Sequence, residues 1–140
     1  MLSTKHVNNC VNNASLNAWA ATQPGLPEVW KRRFTSWLDR EYYAGMDWIK
    51  RNPEQRVNIK QKYPWCKSVI VVADNYYSPP IKAPDVPYIS VYAYGQNYHQ
   101  IVESKLKQVV TCLQKRYPEL KHQIYVDTGP ILERAYAVES

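Results

Sequence analysis

The sequence predicts an α/β fold: a mostly parallel sheet containing a right-handed βαβ unit, with helices flanking it. Three observations predict it. Lys67-Ser68-Val69-Ile70-Val71-Val72-Ala73-Asp74 is a near-continuous β-branched run, the kind buried on both faces of a parallel sheet. Residues 97–117 carry apolar side chains at helical spacing. A second apolar run, Gln123-Ile124-Tyr125-Val126, closes on Asp127. Strands over 67–74 and 122–127 joined by a crossover helix over 97–117 form a βαβ unit, whose strands run parallel and whose hand is right.

The elements follow in chain order. In residues 1–23, Asn8, Asn9, Asn12 and Asn13 interrupt helical periodicity, so a frayed or weak helix is expected, then a short edge strand over residues 16–21. From Pro27 a helix is clear: Val29, Trp30, Phe34, Trp37, Leu38 and Tyr42 form an aromatic stripe that reads as core-facing, and Gly45 supplies the stop. A further short helical piece ends before Pro53. Tyr63-Pro64-Trp65 turns the chain into the first strand, which empties into Asn75-Tyr76-Tyr77 and a proline-punctuated loop reaching Pro87. Tyr88-Ile89-Ser90-Val91-Tyr92 is a short extended segment. The long helix places Tyr98, Ile101, Val102, Leu106, Val109, Val110, Leu113 and Tyr117 on one face, and Pro118 ends it. After the second strand, Pro130 opens a last helix through Glu139.

In open α/β sheets ligands bind at the carboxyl edge of the strands. The predicted topology brings three things to that edge: Asp127, the tyrosines after Asp74, and the amino end of the long helix with Tyr94, Asn97 and His99. By local pattern alone, Asp127 or Thr128 capping the following helix is the commoner reading, and it is this convergence that makes Asp127 a candidate acid.

Composition restricts the function classes. The 140 residues suit one domain, with 12 tyrosines and 5 tryptophans against a single phenylalanine. Such amphipathic rings line half-wet pockets or fill cores. The net charge of +6 is spread along the chain and permits an RNA partner through phosphate contacts, while no zinc-finger spacing or glycine-rich phosphate loop accompanies it. Cys10, Cys66 and Cys112 are far apart and odd in number, suggesting reduced thiols and neither a disulfide framework nor a metal site. No apolar stretch reaches the roughly 20 residues that span a bilayer, and no signal pattern opens the chain, so no membrane association and a cytoplasmic location are expected.

Four motifs, in order, resemble the N-terminal domain of the tRNA epoxyqueuosine reductases of queuosine synthesis. They are Gly45-Met46-Asp47-Trp48 with Arg51-Asn52-Pro53-Glu54-Gln55-Arg56; Ser68-Val69-Ile70 through Asn75-Tyr76-Tyr77; Tyr92-Ala93-Tyr94-Gly95-Gln96-Asn97-Tyr98-His99; and Val126-Asp127-Thr128-Gly129-Pro130-Ile131-Leu132-Glu133-Arg134-Ala135. Residues 25–140 carry the likeness, and residues 1–24 match poorly. The resemblance implies an α/β domain that binds cobalamin and reduces the epoxide of epoxyqueuosine at the tRNA wobble position to queuosine. It implies Asp127 as proton donor beside the corrin and Arg56 as hydrogen-bond donor to the corrin's amide rim; without it Arg56 reads as a surface arginine. Ser90, Tyr92, Tyr94 and His99 would pack near the cofactor; without the resemblance Asn97 is a helix cap and His99 a first-turn residue with a local hydrogen bond.

The sequence departs from the family at Val91, where an arginine is frequent, and at Asn97, where aspartate is common. Members continue into a Gly-Leu-Gly segment and cysteine-rich motifs for two 4Fe-4S clusters, each needing four thiolates. Three cysteines cannot hold them, so the expectation is a truncated chain or one piece of a split enzyme, partnered by a separate iron–sulfur polypeptide and inactive alone. The competing readings are a non-catalytic cobalamin-binding module and a generic α/β module binding RNA or a flavin.

Overall fold

The computed structural model describes residues 2–77, 93 and 95–140. Its elements are helix α1 (Thr4–Asn13), strand β1 (Ala18–Thr22), α2 (Glu28–Asp39), a 3-10 turn (Asp47–Lys50), α3 (Pro53–Val57), a second 3-10 turn (Ile59–Gln61), strand β2 (Val69–Ala73), α4 (Tyr98–Arg116) and α5 (Glu133–Val138). They fall into two compact units, Met1–Trp19 with Val72–Val126, and Ala20–Val71 with Asp127–Ser140.

In the first unit α1 packs against α4. The expected frayed start is instead a regular ten-residue helix. Val7, Cys10, Val11 and Ala14 recur at three- and four-residue spacing and are all buried, while Asn8, Asn9, Asn12 and Asn13 face solvent. Asparagine's weak helix propensity is outweighed by that buried stripe, because tertiary packing supplies most helix stability in proteins. Val109 and Leu113 bury the facing side of α4. The Oδ1 of Asn97 accepts the His99 backbone N–H at 3.0 Å, capping α4 as its residue type predicts.

Cys10 and Cys112 form a disulfide across 102 residues of sequence, which corrects the expectation of scattered thiols. Sequence distance hid the pairing: Cys10 lies on the α1 stripe and Cys112 one position before Leu113 of α4. At the end of β2, Asp74 receives the Lys105 ammonium at 2.6 Å, and the same ammonium donates to the Ser15 carbonyl at 3.0 Å. Both side chains of that pair are mostly buried, so the contact is screened less than a surface ion pair.

The parallel sheet is not found among the described residues. The sheet there has two strands, β1 beside β2, and is antiparallel: Asn17, just before β1, donates its N–H to Ala73 at the end of β2, 3.0 Å away. Residues 122–127 form no strand. His122 and Gln123 are exposed and only Ile124, Tyr125 and Val126 are half-buried, too short an apolar run to require a ladder partner. Nor is β2 buried on both faces; four of its residues are half-exposed and Ala73 is exposed. The expected edge strand near residues 16–21 is present as β1, one or two residues later. The segment Tyr88–Tyr92 lies outside the described residues.

In the second unit α2 begins where expected but stops at Asp39, before Gly45. Glu41 takes the left-handed conformation (φ 55°), Tyr42 N–H reaches back to the Trp37 carbonyl (3.2 Å) and Glu41 N–H to that of Leu38 (2.9 Å). This paired closure satisfies carbonyls at the helix end and needs no glycine there. The aromatic stripe is core-facing only in part: Phe34 is buried, Trp30, Trp37 and Leu38 are half-buried, and Val29 and Tyr42 are exposed. Leu26, Tyr43, Val57, Ile59, Ala135 and Tyr136 complete this core. Tyr136 is 1% exposed, and its hydroxyl donates to the Pro24 carbonyl at 3.0 Å.

Candidate functional site

The segment from Asp127 to α5 holds a carboxyl pair. The helix expected from Pro130 starts three residues later, at Glu133, with Leu132 as its N-cap and no side-chain cap. Neither Asp127 nor Thr128 is therefore its capping residue. The contact runs the other way: Glu133 Oε1 accepts the backbone N–H of Asp127 at 3.0 Å. Asp127 holds φ at 55°, a left-handed conformation that non-glycine residues adopt rarely, aspartate among the more tolerant. The loop 128–132 thus folds Glu133 back onto Asp127.

Electrostatics follow from that geometry. Burial pushes the Glu133 carboxyl above the usual glutamate range, and the charge of Asp127 and a hydrogen bond to its side chain push it further, against the opposing pull of the Asp127 N–H. Sequence reasoning singled out Asp127 and missed Glu133, although the six-residue spacing around Gly129-Pro130 was visible.

Arg56 stands in the same unit and is 7% exposed, so it is not the surface arginine of the simplest reading. Its Nε donates to the Arg51 carbonyl (3.4 Å) and its Nη2 to that of Trp48 (3.2 Å), with the guanidinium carbon 5.4 Å from the Trp48 ring centre. Burial lowers its pKa. Asn52, the N-cap of α3, takes φ 53°, directing the chain so that Arg51 and Trp48 offer these carbonyls. The Arg56 carbonyl in turn accepts the N–H of Leu132, tying α3 to the loop between Asp127 and Glu133.

The remaining expected site residues are placed differently. His99 is half-buried on α4, its Nδ1 3.1 Å from Asn97 Oδ1, so the local hydrogen bond expected of it is present. Ser90, Tyr92 and Tyr94 lie outside the described residues. The common rim for Asp127, Tyr76, Tyr77 and His99 required a parallel ladder between 67–74 and 122–127, which the described residues do not contain. A corrin rim presents amide groups that need donors. The fit to such a rim is at Arg56, where three of five guanidinium N–H groups have no partner among the described residues.

The second unit also carries a shallow basic groove along α2, of about 520 Å³, lined by Arg32, Arg33 and Arg40 with Val29, Trp37 and Tyr42. Arg33 lies 5.4 Å from the Trp30 ring centre and Arg40 6.0 Å from that of Tyr42.

Similarity to known proteins covers Arg56 and Asp127. The family model described as "Epoxyqueuosine reductase QueG, DUF1730" matches residues 56–128, just over half of the chain. The epoxyqueuosine reductase of Synechocystis sp. is 42% identical over 108 residues, covering 76% of this chain and 37% of the relative. That of Escherichia coli is 32% identical over 111 residues, covering 75% and 29%. The chain therefore spans about a third of the length of these relatives. The solved structure of epoxyqueuosine reductase from Streptococcus thermophilus superposes with a TM-score of 0.80 at 17% identity, over 94% of this chain and 36% of that one. An epoxyqueuosine reductase solved with an epoxyqueuosine-modified tRNA-Tyr stem loop superposes at 0.71 and 21% identity, over 95% and 36%. At such identities the structural likeness concerns the fold. The family match over residues 56–128, with both relatives agreeing, places this chain in the epoxyqueuosine reductase family.

Proposed function

We propose that the chain is the N-terminal part of a cobalamin-dependent tRNA epoxyqueuosine reductase, which converts the epoxide of epoxyqueuosine at the wobble position to the alkene of queuosine. The observation that carries this reading is the span of the family match, which begins at Arg56 and includes Asp127. When bound, cobalamin would supply electron density to the epoxide carbon, and Arg56 would donate hydrogen bonds to its amide rim.

The chain's own residues handle the proton. Opening an epoxide leaves negative charge on oxygen, and an acid within hydrogen-bond reach quenches it. Asp127 is that acid in this reading. Glu133 positions it by accepting its backbone N–H, while burial and the neighbouring Asp127 charge hold the Glu133 carboxyl itself above the usual glutamate range. The loop bond from Leu132 to the Arg56 carbonyl fixes the donor relative to the arginine.

Two 4Fe-4S clusters need eight thiolate ligands, and the sequence has three cysteines, so the electrons for turnover would come from an iron–sulfur module outside these 140 residues. The site of action would be the cytoplasm; among the described residues no helix is long and apolar enough to cross a membrane. The basic aromatic groove on α2 favours, as a second reading, an RNA-binding module without redox chemistry.

Adding the protein to cobalamin should perturb its visible spectrum, and no perturbation would remove the cobalamin reading while leaving the RNA-binding one. With chemically reduced cobalamin and an epoxyqueuosine-bearing anticodon stem–loop, Asp127→Asn should lower turnover by about 10²–10⁴-fold, the usual worth of a general acid. Full turnover by that variant would refute the proton-donor role.

A further inference from the structure

Away from the carboxyl pair, the first unit gathers a second set of reactive side chains. His6 and Cys10 lie one turn apart on α1, and Cys112 meets them from α4. His6 Nε2 is 3.8 Å from Cys10 Sγ, and the ligating atoms of all three residues lie within 4.8 Å of one another. We propose that the dithiol form of this cluster, His6, Cys10 and Cys112, binds one zinc-class divalent cation.

The geometry is close to what such a cation needs. Zinc–sulfur bonds of about 2.3 Å and zinc–nitrogen bonds of about 2.0 Å at tetrahedral angles put S and N roughly 3.5 Å apart and two sulfurs roughly 3.8 Å apart. The His6–Cys10 separation already matches. Cleavage of their mutual bond lets the two sulfurs part, and the Cys112 sulfur, within 4.8 Å of the other two ligand atoms, needs a shift of about 1 Å towards the imidazole to complete the set. Two residues at i and i+4 on one helix share a face, so His6 and Cys10 offer ligands on one side of the ion and Cys112 on the other. The His6 ring packs edge-on to Tyr117 with centroids 5.9 Å apart, and the Tyr117 hydroxyl oxygen accepts the Ser3 N–H at 3.2 Å, which steadies the imidazole.

Charge and softness point to the same class of ion. Cys10 is 1% exposed, and an ionised thiol there would carry a large desolvation cost alone. Two thiolates and a neutral imidazole around a dication sum to zero charge. Thiolate and imidazole donors select zinc-like ions over magnesium or calcium. Three protein ligands leave a fourth position for water on the half-exposed His6 side.

Disulfide and metal site are alternative states of the same sulfurs. A dithiol reductant delivers two electrons and two protons to the Cys10–Cys112 bond, giving two thiols while the reductant becomes a disulfide. The cation then displaces both thiol protons. Cys66, hydrogen-bonded to the Ser68 carbonyl, belongs to the other compact unit and serves as the control thiol.

The test uses the 140-residue chain, reduced with dithiothreitol, desalted without oxygen and titrated with cobalt(II). One equivalent should bind, with thiolate-to-cobalt charge transfer in the near ultraviolet and tetrahedral d–d bands in the visible, both lost when zinc is added. Cys66→Ser should keep the signature, Cys112→Ser should lose it, and His6→Ala should weaken binding at least tenfold. Because cysteine variants in this core can fail to fold, a second measurement uses the unsubstituted chain: relative to the metal-free reduced protein, zinc should slow alkylation of Cys10 and Cys112 and leave that of Cys66 unchanged. Absence of the cobalt signature from reduced Cys66→Ser, its persistence in Cys112→Ser, or alkylation rates of Cys10 and Cys112 that zinc leaves unchanged would each overturn the proposal.

Discussion

Glu133 is where a single side chain makes a measurable commitment. Its carboxyl is held above the ordinary glutamate range, first by burial and then by Asp127. A carboxyl with a raised folded-state pKa binds its proton more tightly in the native protein than in the unfolded chain. Stability from this group is therefore fully present below the unfolded value, about 4.3, and declines as pH rises from there through the folded value. Glu133→Gln removes the titration but keeps an oxygen able to accept the Asp127 N–H. The variant should show a flatter dependence of urea midpoint on pH from about 4 upward, and should be no less stable than the parent near neutrality. An unchanged slope would mean that Glu133 is not proton-coupled to folding.

At the scale of elements, α1 against α4 is the clearest case of packing deciding structure. Leu113 is 3% exposed on that contact. Leu113→Ala should cost about 2–5 kcal/mol, the range for truncating a buried leucine, read as a lowered denaturation midpoint with unchanged slope. A cost near zero would show that this contact is not a core. The same pair shows what the sequence made legible. Helix α4 was readable end to end because its apolar period is long, Asn97 marks its start and Pro118 follows its end. Helix α1 was not, because its four asparagines weigh on propensity while Val7, Cys10, Val11 and Ala14 gain only from a partner more than 90 residues away. Strand β2 was legible as a strand from its β-branched residues, but not its neighbour, since pairing is a property of two segments. Asp127 was legible from its place after an apolar run. Its contact with Glu133 depends on a left-handed backbone at Asp127 that no residue type dictates.

At the scale of the whole molecule, the proposed tRNA partner would be held either by the general attraction of the +6 charge or by a built surface. Each phosphate contact contributes roughly 0.7 to 0.9 to the slope of log affinity against log salt, the lower value for single strands, so three arginines in contact would account for about 2. Replacing Arg32, Arg33 and Arg40 with glutamine should lower that slope by about 2 for an anticodon stem–loop. The same loss of net charge can be arranged elsewhere, at the exposed Lys5, Lys115 and Lys121. If the field of the molecule were enough, both triple variants would behave alike, because the distant potential senses only total charge. A direct surface separates them, because counterions are released where phosphates are met, and the aromatic rings of Trp37 and Tyr42 beside the arginines add stacking that salt does not screen. The α2 variant should therefore lose both slope and high-salt affinity, while the lysine variant keeps its high-salt affinity. Equal behaviour of the two in filter-binding or fluorescence titrations from low to high salt would rule out α2 as the RNA-facing surface.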